Sequence, residues 1–172
     1  YTMRLCRYDD DKIGLIRGDQ LFDATAALVH LPPLNWPVPY GDHLIANLDV
    51  MRAALEAAAD DSHPVPVESV VLLSPVANPS KIVGAPVNYH KHHEEAVADS
   101  EINLGRDIKT IDTYGLFMKA NSSLVGPSEG VALRFTDRRN DHEVELAMVI
   151  GQGGSDISRA DAMDHVAAYA IG

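Results

Sequence analysis

The most informative stretch of the sequence, residues 141–150, reads Asp141-His142-Glu143-Val144-Glu145-Leu146-Ala147-Met148-Val149-Ile150. The apolar run that ends it predicts a strand over residues 143–150. Side chains in a strand alternate between its two faces, so Glu143 and Glu145 are expected to point the same way. The other face is expected to fill a core, with Val144, Leu146, Met148 and Ile150. The stretch therefore predicts a strand that carries two carboxylates at one end.

Two ionised carboxylates on one face of a strand repel each other, and each loses hydration at the edge of a core. A divalent cation between them would offset both costs, and ligation by oxygen alone favours Mg²⁺, Mn²⁺ or Ca²⁺ over zinc. The alternative is an exposed edge strand whose glutamates face water or meet lysines. The E-x-E pattern by itself leaves both interpretations open.

The charge and composition of the chain narrow the class of partner. The 172 residues carry a net charge of −11, which opposes nucleic-acid binding because that needs a cationic surface. The same charge would repel an anionic substrate unless a bound cation reversed the local sign. No apolar run approaches the roughly 20 residues that cross a bilayer, so no membrane partner is expected.

The single cysteine, Cys6, excludes an internal disulfide and a thiolate zinc site. Cys6 alternates with polar neighbours in a strand-like run, which favours a buried structural thiol. The first residues lack the apolar core of a signal peptide, so a reduced, cytoplasmic setting is expected.

The first part of the chain, residues 1–75, predicts a small N-terminal α/β domain. Short strands are expected over residues 3–8, 12–16 and 21–24. A proline-rich stretch over residues 31–40 excludes regular helix there. An amphipathic helix is expected next, with Asp42 as its N-cap. Its apolar residues recur at helical spacing: Leu44, Leu48, Met51, Leu55 and Ala58.

The second part, residues 76–172, is expected to be richer in strands. After the strand expected at residues 70–73, a strand followed by a loop is expected at 81–89, and further strands are expected at 115–119, 131–135 and 143–150. The charged segment 98–113 has no clear apolar period and predicts an exposed, mobile segment of the kind that forms lids. Ser158 and Asp161 form a capping signature, and an apolar period after them predicts a final helix. That period consists of Met163, Val166, Ala167 and Ala170.

A polar cluster, residues 90–95, contains three histidines. If a helix begins near Tyr89, His92 and Glu95 share one face, where Glu95 can orient the imidazole as a general base that activates water. His90 and His93 would share a second face. The alternative is a solvated helix start without a chemical role.

Lys119 ends an apolar strand and precedes a turn that contains Ser122 and Ser123. A lysine at this position is either a cation placed at a pocket or an edge residue whose charged end reaches water. The two serines either donate hydrogen bonds to a carboxylate or simply form the turn.

In this order, the segments resemble the fumarylacetoacetate hydrolase family. The resemblance lies in Lys81-Ile82-Val83-Gly84, Val87-Asn88-Tyr89-x-x-His92-x-x-Glu95, Phe117-Met118-Lys119-x-x-Ser122-Ser123-Leu124-x-Gly126-Pro127 and Glu143-Val144-Glu145-Leu146-Ala147-x-Val149-Ile150-Gly151. It covers roughly residues 79–172. Residues 1–75 look like the small N-terminal domain that many bacterial members carry.

The resemblance implies an α+β fold, mainly β. In it, a small N-terminal α/β domain is followed by a fumarylacetoacetate hydrolase-type mixed β-roll over residues 76–172. It also implies a homodimer and a bound Mg²⁺, or Mn²⁺ or Ca²⁺ in its place. The implied ligands are Glu143, Glu145 and an aspartate expected after Gly172, so the chain is expected to be a fragment with an incomplete roll.

The resemblance further implies roles for the remaining candidates. His92 and Glu95 would form a catalytic dyad that orders on ligand binding, and Lys119 falls on the family's pocket lysine. Tyr89, Ser122 and Ser123 are the candidates for substrate binding.

The activity implied is hydrolysis of a C–C bond in acylpyruvate-type 2-oxo acids through a metal-stabilised enolate, as in aromatic catabolism. The same residues would suit an isomerase of unsaturated 2-oxo diacids or an oxaloacetate-type decarboxylase. Two alternatives are not enzymes: a binding member without catalysis, and a globular domain whose E-x-E merely faces water.

Overall fold

The computed structural model describes residues 2–172. They form two compact units, the first comprising the chain up to Pro79 together with Leu124–Gly172 and the second comprising Ser80–Ser123. None of the helices within the described residues has the length and hydrophobicity of a membrane span.

The first unit opens with three antiparallel strands, which confirms the sequence prediction. They are β1 (Leu5–Tyr8), β2 (Lys12–Arg17) and β3 (Gln20–Asp23). The turn between β1 and β2 is acidic, and Asp9 and Asp11 take positive φ angles of 47° and 62° there. Aspartate is one of the few residues that tolerates this conformation, so the acidic run suits a tight turn.

The expected amphipathic helix is present but is divided at Asn47. Its parts are α1 (His43–Ala46) and α2 (Leu48–Asp60). The Oδ1 atom of Asp42 accepts a hydrogen bond from the Ile45 N–H at 3.1 Å, which confirms the predicted N-cap. Residues 31–40 form an irregular loop, as their prolines require.

Two short strands complete the sheet of the first unit. With β4 (Val65–Pro66) and β5 (Leu72–Leu73), the order is β4-β3-β2-β1-β5. One face of the sheet packs on α2, where Met51 and Leu55 are almost fully buried. The buried residues of this cluster are Ile13, Leu15, Ala24, Ala27, Leu44, Leu48, Met51, Leu55 and Ala59.

The opposite face of the sheet buries Cys6 beside Tyr8 and Leu21. The Cys6 Sγ donates to the Gly14 carbonyl at 3.4 Å, and burial raises the pKa of the thiol to about 11. A thiol held protonated is a poor nucleophile, so the prediction of a buried structural cysteine is confirmed.

The second unit is built on a pair of antiparallel strands, β6 (Ile82–Gly84) and β7 (Phe117–Lys119). Three helices lie between them in the chain: α3 (His90–Ala98), α4 (Ser100–Asn103) and α5 (Ile111–Tyr114). The segment expected to be exposed is exposed along most of its length and contains α4. Its mobility stays a prediction.

The chain re-enters the first unit at a close approach to β5. The Leu72 N–H donates to the Ser128 Oγ at 2.9 Å, and the Ser128 N–H donates to the Leu72 carbonyl at 3.1 Å. A Cβ on Gly126 would lie 2.4 Å from the Leu73 Cα, so only glycine fits at this contact.

The last part of the first unit is a hairpin of β8 (Leu146–Ile150) and β9 (Val166–Ile171). The final helix predicted from the sequence is therefore wrong: a short 3₁₀ turn at Ala162–His165 leads directly into β9. Pairing with β8 satisfies the backbone of β9 and overrides the local helical period. The strand expected at residues 131–135 is also wrong, because that stretch is irregular and Val131 is 72% exposed.

One face of β8 differs from the prediction. Leu146, Met148 and Ile150 were expected in a core, yet they are 56%, 60% and 56% exposed. The partly buried face of the hairpin instead carries small residues, and Ala167 and Ala168 of β9 pack against the α2 cluster. Small side chains allow the closer approach to the helices, which leaves the large ones on the outer face. Val144 is likewise exposed.

Candidate metal and catalytic residues

Glu143 and Glu145 immediately precede β8 in the first unit. Glu145 exchanges two backbone hydrogen bonds with Gly172, of 2.8 and 2.9 Å, which extend the β8–β9 ladder by one residue before the start of β8. Glu145 is half-buried and Glu143 is exposed. One carboxylate oxygen of Glu143 lies within 4.8 Å of one oxygen of Glu145, so the two acidic groups lie together, as predicted.

This spacing fits a hard divalent cation. An ion that binds oxygen at about 2.1–2.5 Å can touch two oxygens that are up to about 4.2–5.0 Å apart. Both donors are carboxylate oxygens, the type that Mg²⁺, Mn²⁺ and Ca²⁺ prefer. The pair can therefore provide part of such an ion's ligand set.

The second unit carries His92 and Glu95 on α3. The helix follows Tyr89, which occupies the N-cap position, so the predicted helix start is confirmed. His92 and Glu95 are three residues apart and share one helix face. His92 is partly buried and Glu95 is exposed. The predicted dyad requires His92 and Glu95 to lie on one helix face, and they do. Their catalytic role stays a prediction.

The neighbouring face of α3 borders a recess of about 150 Å³ in the second unit. Tyr89, His90 and His93 contribute to one wall, and residues 110–112 form another. The His93 Nε2 lies 2.9 Å from the Ile108 carbonyl oxygen. The sequence placed His90 and His93 on a second face of the helix, and the structure agrees.

Lys119 and the two serines also lie in the second unit. Lys119 ends β7 exposed, with its Nζ 5.9 Å from the centre of the Phe117 ring. The Ser123 hydroxyl donates to the Ala120 carbonyl at 2.7 Å, so this serine stabilises its own 3₁₀ turn. Ser122 is exposed in the same turn. For Ser123, the contact favours the turn-forming alternative.

A larger recess, of about 500 Å³, lies within the first unit and was not predicted from the sequence. Its walls are the α1–α2 junction and the residues that flank β8 and β9, including Gln152 and His165. The His165 Nδ1 lies 2.8 Å from the Gln152 carbonyl oxygen. The two walls are about a hundred residues apart in the chain, so only tertiary packing brings them together. No local sequence pattern could therefore predict the recess.

Comparison with known proteins supports one family. The model of the C-terminal domain of fumarylacetoacetate hydrolase matches residues 81–172. A maleylpyruvate hydrolase of Aquipseudomonas alcaligenes is 48% identical over 172 residues, which cover 99% of this chain and 60% of that protein. A mitochondrial oxaloacetate tautomerase of Xenopus laevis is 32% identical over 121 residues, 70% of this chain and 35% of that protein.

A solved structure agrees with these relatives. The maleylpyruvate hydrolase of Sphingobium sp. SYK-6, in complex with manganese(II) and pyruvate, is 34% identical and superposes with a TM-score of 0.72 over 98% of this chain. This likeness confirms the expected α+β, mainly β fold. The chain spans 57% of that structure and 60% of the Aquipseudomonas relative, so it corresponds to part of such a protein.

Proposed function

The chain belongs to the fumarylacetoacetate hydrolase family. On that premise we propose that it forms part of a metal-dependent enzyme that hydrolyses a C–C bond in acylpyruvate-type 2-oxo acids. The observation that carries the proposal is the pair of carboxylates Glu143 and Glu145, whose oxygens lie within 4.8 Å of each other. The likeness to two maleylpyruvate hydrolases, one of them holding manganese(II) and pyruvate, supports the same chemistry.

In this proposal, Glu143 and Glu145 hold a divalent cation, which is Mg²⁺, Mn²⁺ or Ca²⁺. The bound ion supplies positive charge that attracts the carboxylate and 2-oxo group of the substrate and stabilises developing enolate charge. It also explains how a chain with a net charge of −11 can attract an acid. A further ligand, an aspartate beyond Gly172, belongs to the same proposal.

The remaining steps use side chains of the second unit. His92 accepts a proton from water, which then attacks the distal carbonyl carbon, and Glu95 holds the imidazole in the productive orientation. The ammonium group of Lys119 stabilises the negative charge that develops as the C–C bond breaks. The proton held by His92 is available to the carbon that leaves. Tyr89 and Ser122 are proposed to contact the substrate, and Ser123 to hold the turn that carries Ser122.

A second candidate is proton transfer at a 2-oxo acid without C–C cleavage. The likeness to a mitochondrial oxaloacetate tautomerase favours it, because tautomerisation needs the same enolate stabilisation and a base, but no attacking water. Isomerisation of an unsaturated 2-oxo diacid and decarboxylation of an oxaloacetate-like acid differ from hydrolysis only in the fate of that enolate.

The test is to incubate the protein with Mn²⁺ or Mg²⁺ and, separately, with an acylpyruvate, oxaloacetate and an unsaturated 2-oxo diacid. Release of pyruvate from the acylpyruvate, followed by NMR, supports hydrolysis. Loss of the oxaloacetate enol signal alone supports the tautomerase, and carbon dioxide release supports a decarboxylase. A His92→Ala variant with unchanged turnover of every compound would contradict the role assigned to His92. No Mn²⁺ or Mg²⁺ binding in calorimetry would contradict the metal site.

We also propose that the protein forms a homodimer and works in a reducing compartment such as the cytoplasm. The family resemblance supports the dimer, and the free, buried thiol of Cys6 supports the reducing setting. Light scattering coupled to size-exclusion chromatography measures the mass in solution, and the mass of a single chain would contradict the dimer.

A further inference from the structure

His93 is a partly buried histidine that the proposed mechanism does not use. Its Nε2 lies 2.9 Å from the backbone carbonyl oxygen of Ile108, a residue 15 positions further along the chain. A carbonyl can only accept, so Nε2 carries the proton and donates it. The bond joins the first turn of α3 to residues 104–110, which connect α4 to α5.

The helix α3 is short and mostly exposed. It is 9 residues long and buries one residue, Ala96. The side chain of its N-cap residue, Tyr89, makes no capping hydrogen bond. An isolated helix shorter than about 12–15 residues is marginal in water, so α3 depends on contacts with the rest of its unit.

Side-chain hydrogen bonds of His93 and Asn103 connect α3 to the residues that follow it. Besides the bond from His93, the Asn103 Nδ2 donates to the Val97 carbonyl at 2.8 Å. One bond lies near the start of the helix and the other lies in its last turn. Successive residues are turned by about 100° around a helix axis, so fixing His93 also fixes the directions of His92 and Glu95.

We propose that His93 is a positioning residue. Its hydrogen bond to Ile108 holds residues 104–110 against α3 and sets the direction in which α3 presents His92 and Glu95. The structural half of this inference stands on the contact itself, and the catalytic half rests on the proposed function. Breaking the bond opens residues 104–110 and turns the helix away from the productive orientation.

Limited trypsin digestion of the full chain tests the structural half. Arg106 and Lys109 flank Ile108 and are exposed, so each becomes a better trypsin site when the segment opens. Cleavage then follows the population of the open form. In His93→Ala, we expect cleavage after these two residues about fivefold faster, the factor that corresponds to one hydrogen bond of about 1 kcal/mol.

Three further variants make the digestion specific. His93→Gln places an amide N–H near the position of Nε2 and should restore the cleavage rate of the unmodified chain. His93→Asn is too short to reach Ile108 and should match His93→Ala, which gives a second measurement if the alanine variant folds poorly. His90→Ala removes a histidine from the same helix face and serves as the control. Equal cleavage rates in His93→Ala, His93→Asn and the unmodified chain would overturn the inference.

Steady-state kinetics with a 2-oxo acid and Mn²⁺ test the catalytic half. We expect His93→Ala to lower kcat about fivefold, with unchanged Mn²⁺ affinity and with recovery in His93→Gln. Faster cleavage with unchanged kcat would overturn the positioning role. If the unmodified chain turns over no 2-oxo acid, the proposed function fails, while faster cleavage of His93→Ala still supports the contact with Ile108.

Discussion

Residues 2–79 and residues 80–172 differ in how far they bury their apolar side chains. All the buried hydrophobic residues of the described chain except Ala96 lie between Cys6 and Ala59. After residue 80, large apolar side chains such as Met118 and Met148 are each 60% exposed. The candidate catalytic and metal residues all lie in this second stretch. Stability and proposed chemistry therefore depend on different parts of the sequence, and substitutions should separate them.

The largest expected effect is a loss of stability from the first stretch. Leu55 is fully buried between α2 and the sheet, so Leu55→Ala leaves a cavity and should lower the free energy of unfolding by about 2–5 kcal/mol. Urea denaturation measures this loss. Val50→Ala, at a site on the same helix that is 72% exposed, is the matched control and should change it by less than about 0.5 kcal/mol. Equal effects of the two variants would break the comparison.

The second effect is a loss of activity without a loss of stability. Glu143→Gln removes an anionic candidate ligand, and we expect kcat/KM for the 2-oxo acid to fall by about a hundredfold or more. The midpoint of thermal unfolding, measured without added metal, should move by less than about 2 °C. Glu56→Gln, at an exposed site on α2, is the charge-matched control. A large drop in the unfolding midpoint of Glu143→Gln would show that the carboxylate stabilises the fold.

The third effect returns to the first stretch. Asp42 accepts from the Ile45 N–H at 3.1 Å and, through its other oxygen, from the Ala77 N–H at 2.6 Å. Asp42→Ala leaves both donors without this acceptor and should cost about 1–2 kcal/mol of stability, with unchanged Mn²⁺ affinity. Urea denaturation and calorimetry check the two halves of this prediction. Asp10→Ala, in an exposed turn, is the control and should be close to neutral.

The smallest effect is a pH dependence within the sheet. Burial would raise the pKa of Asp23, but hydrogen bonds from Thr25 and Tyr8 outweigh it and leave the pKa below its ordinary value. A lowered pKa in the folded state adds stability above the unfolded value of about 3.9, and this stability is lost as the pH falls through the folded pKa. The stability difference between the unmodified chain and Asp23→Asn should therefore shrink in urea titrations below about pH 4. A constant difference from pH 7 to pH 2 would contradict this explanation.

Local patterns predicted the first stretch well where neighbouring elements are joined by short connections. Strands β1 to β3 are joined by short turns, and the Asp42 cap lies three residues from the amide that it satisfies. The hairpin of β8 and β9 was harder, because Val166–Ile171 fits a helical period and its partner strand lies about twenty residues earlier. The exposure of Leu146 and Met148 could not be predicted, because the alternation of a strand does not say which face is covered.

For the candidate site, the relative positions of the residues could be predicted from local geometry, but their roles could not. The neighbouring positions of Glu143 and Glu145 follow from strand geometry, and the shared face of His92 and Glu95 follows from helix geometry. The roles of these residues came from the family resemblance and stay predictions. The contact between His93 and Ile108 had no sequence signal, because a backbone carbonyl can be reached by any donor that the fold brings near it.

The packing of β9 against residues near the start of the chain has a consequence for synthesis on the ribosome. The first unit consists of two stretches, and Ala167 and Ala168 pack against a cluster whose other members precede residue 60. At translation rates of about 5–20 residues per second, roughly a hundred residues take on the order of ten seconds to follow. During that interval the nascent chain exposes the apolar surface that β9 later covers. Chaperones that recognise such surfaces can therefore bind the nascent chain during this interval, until β9 emerges from the ribosome and covers the surface.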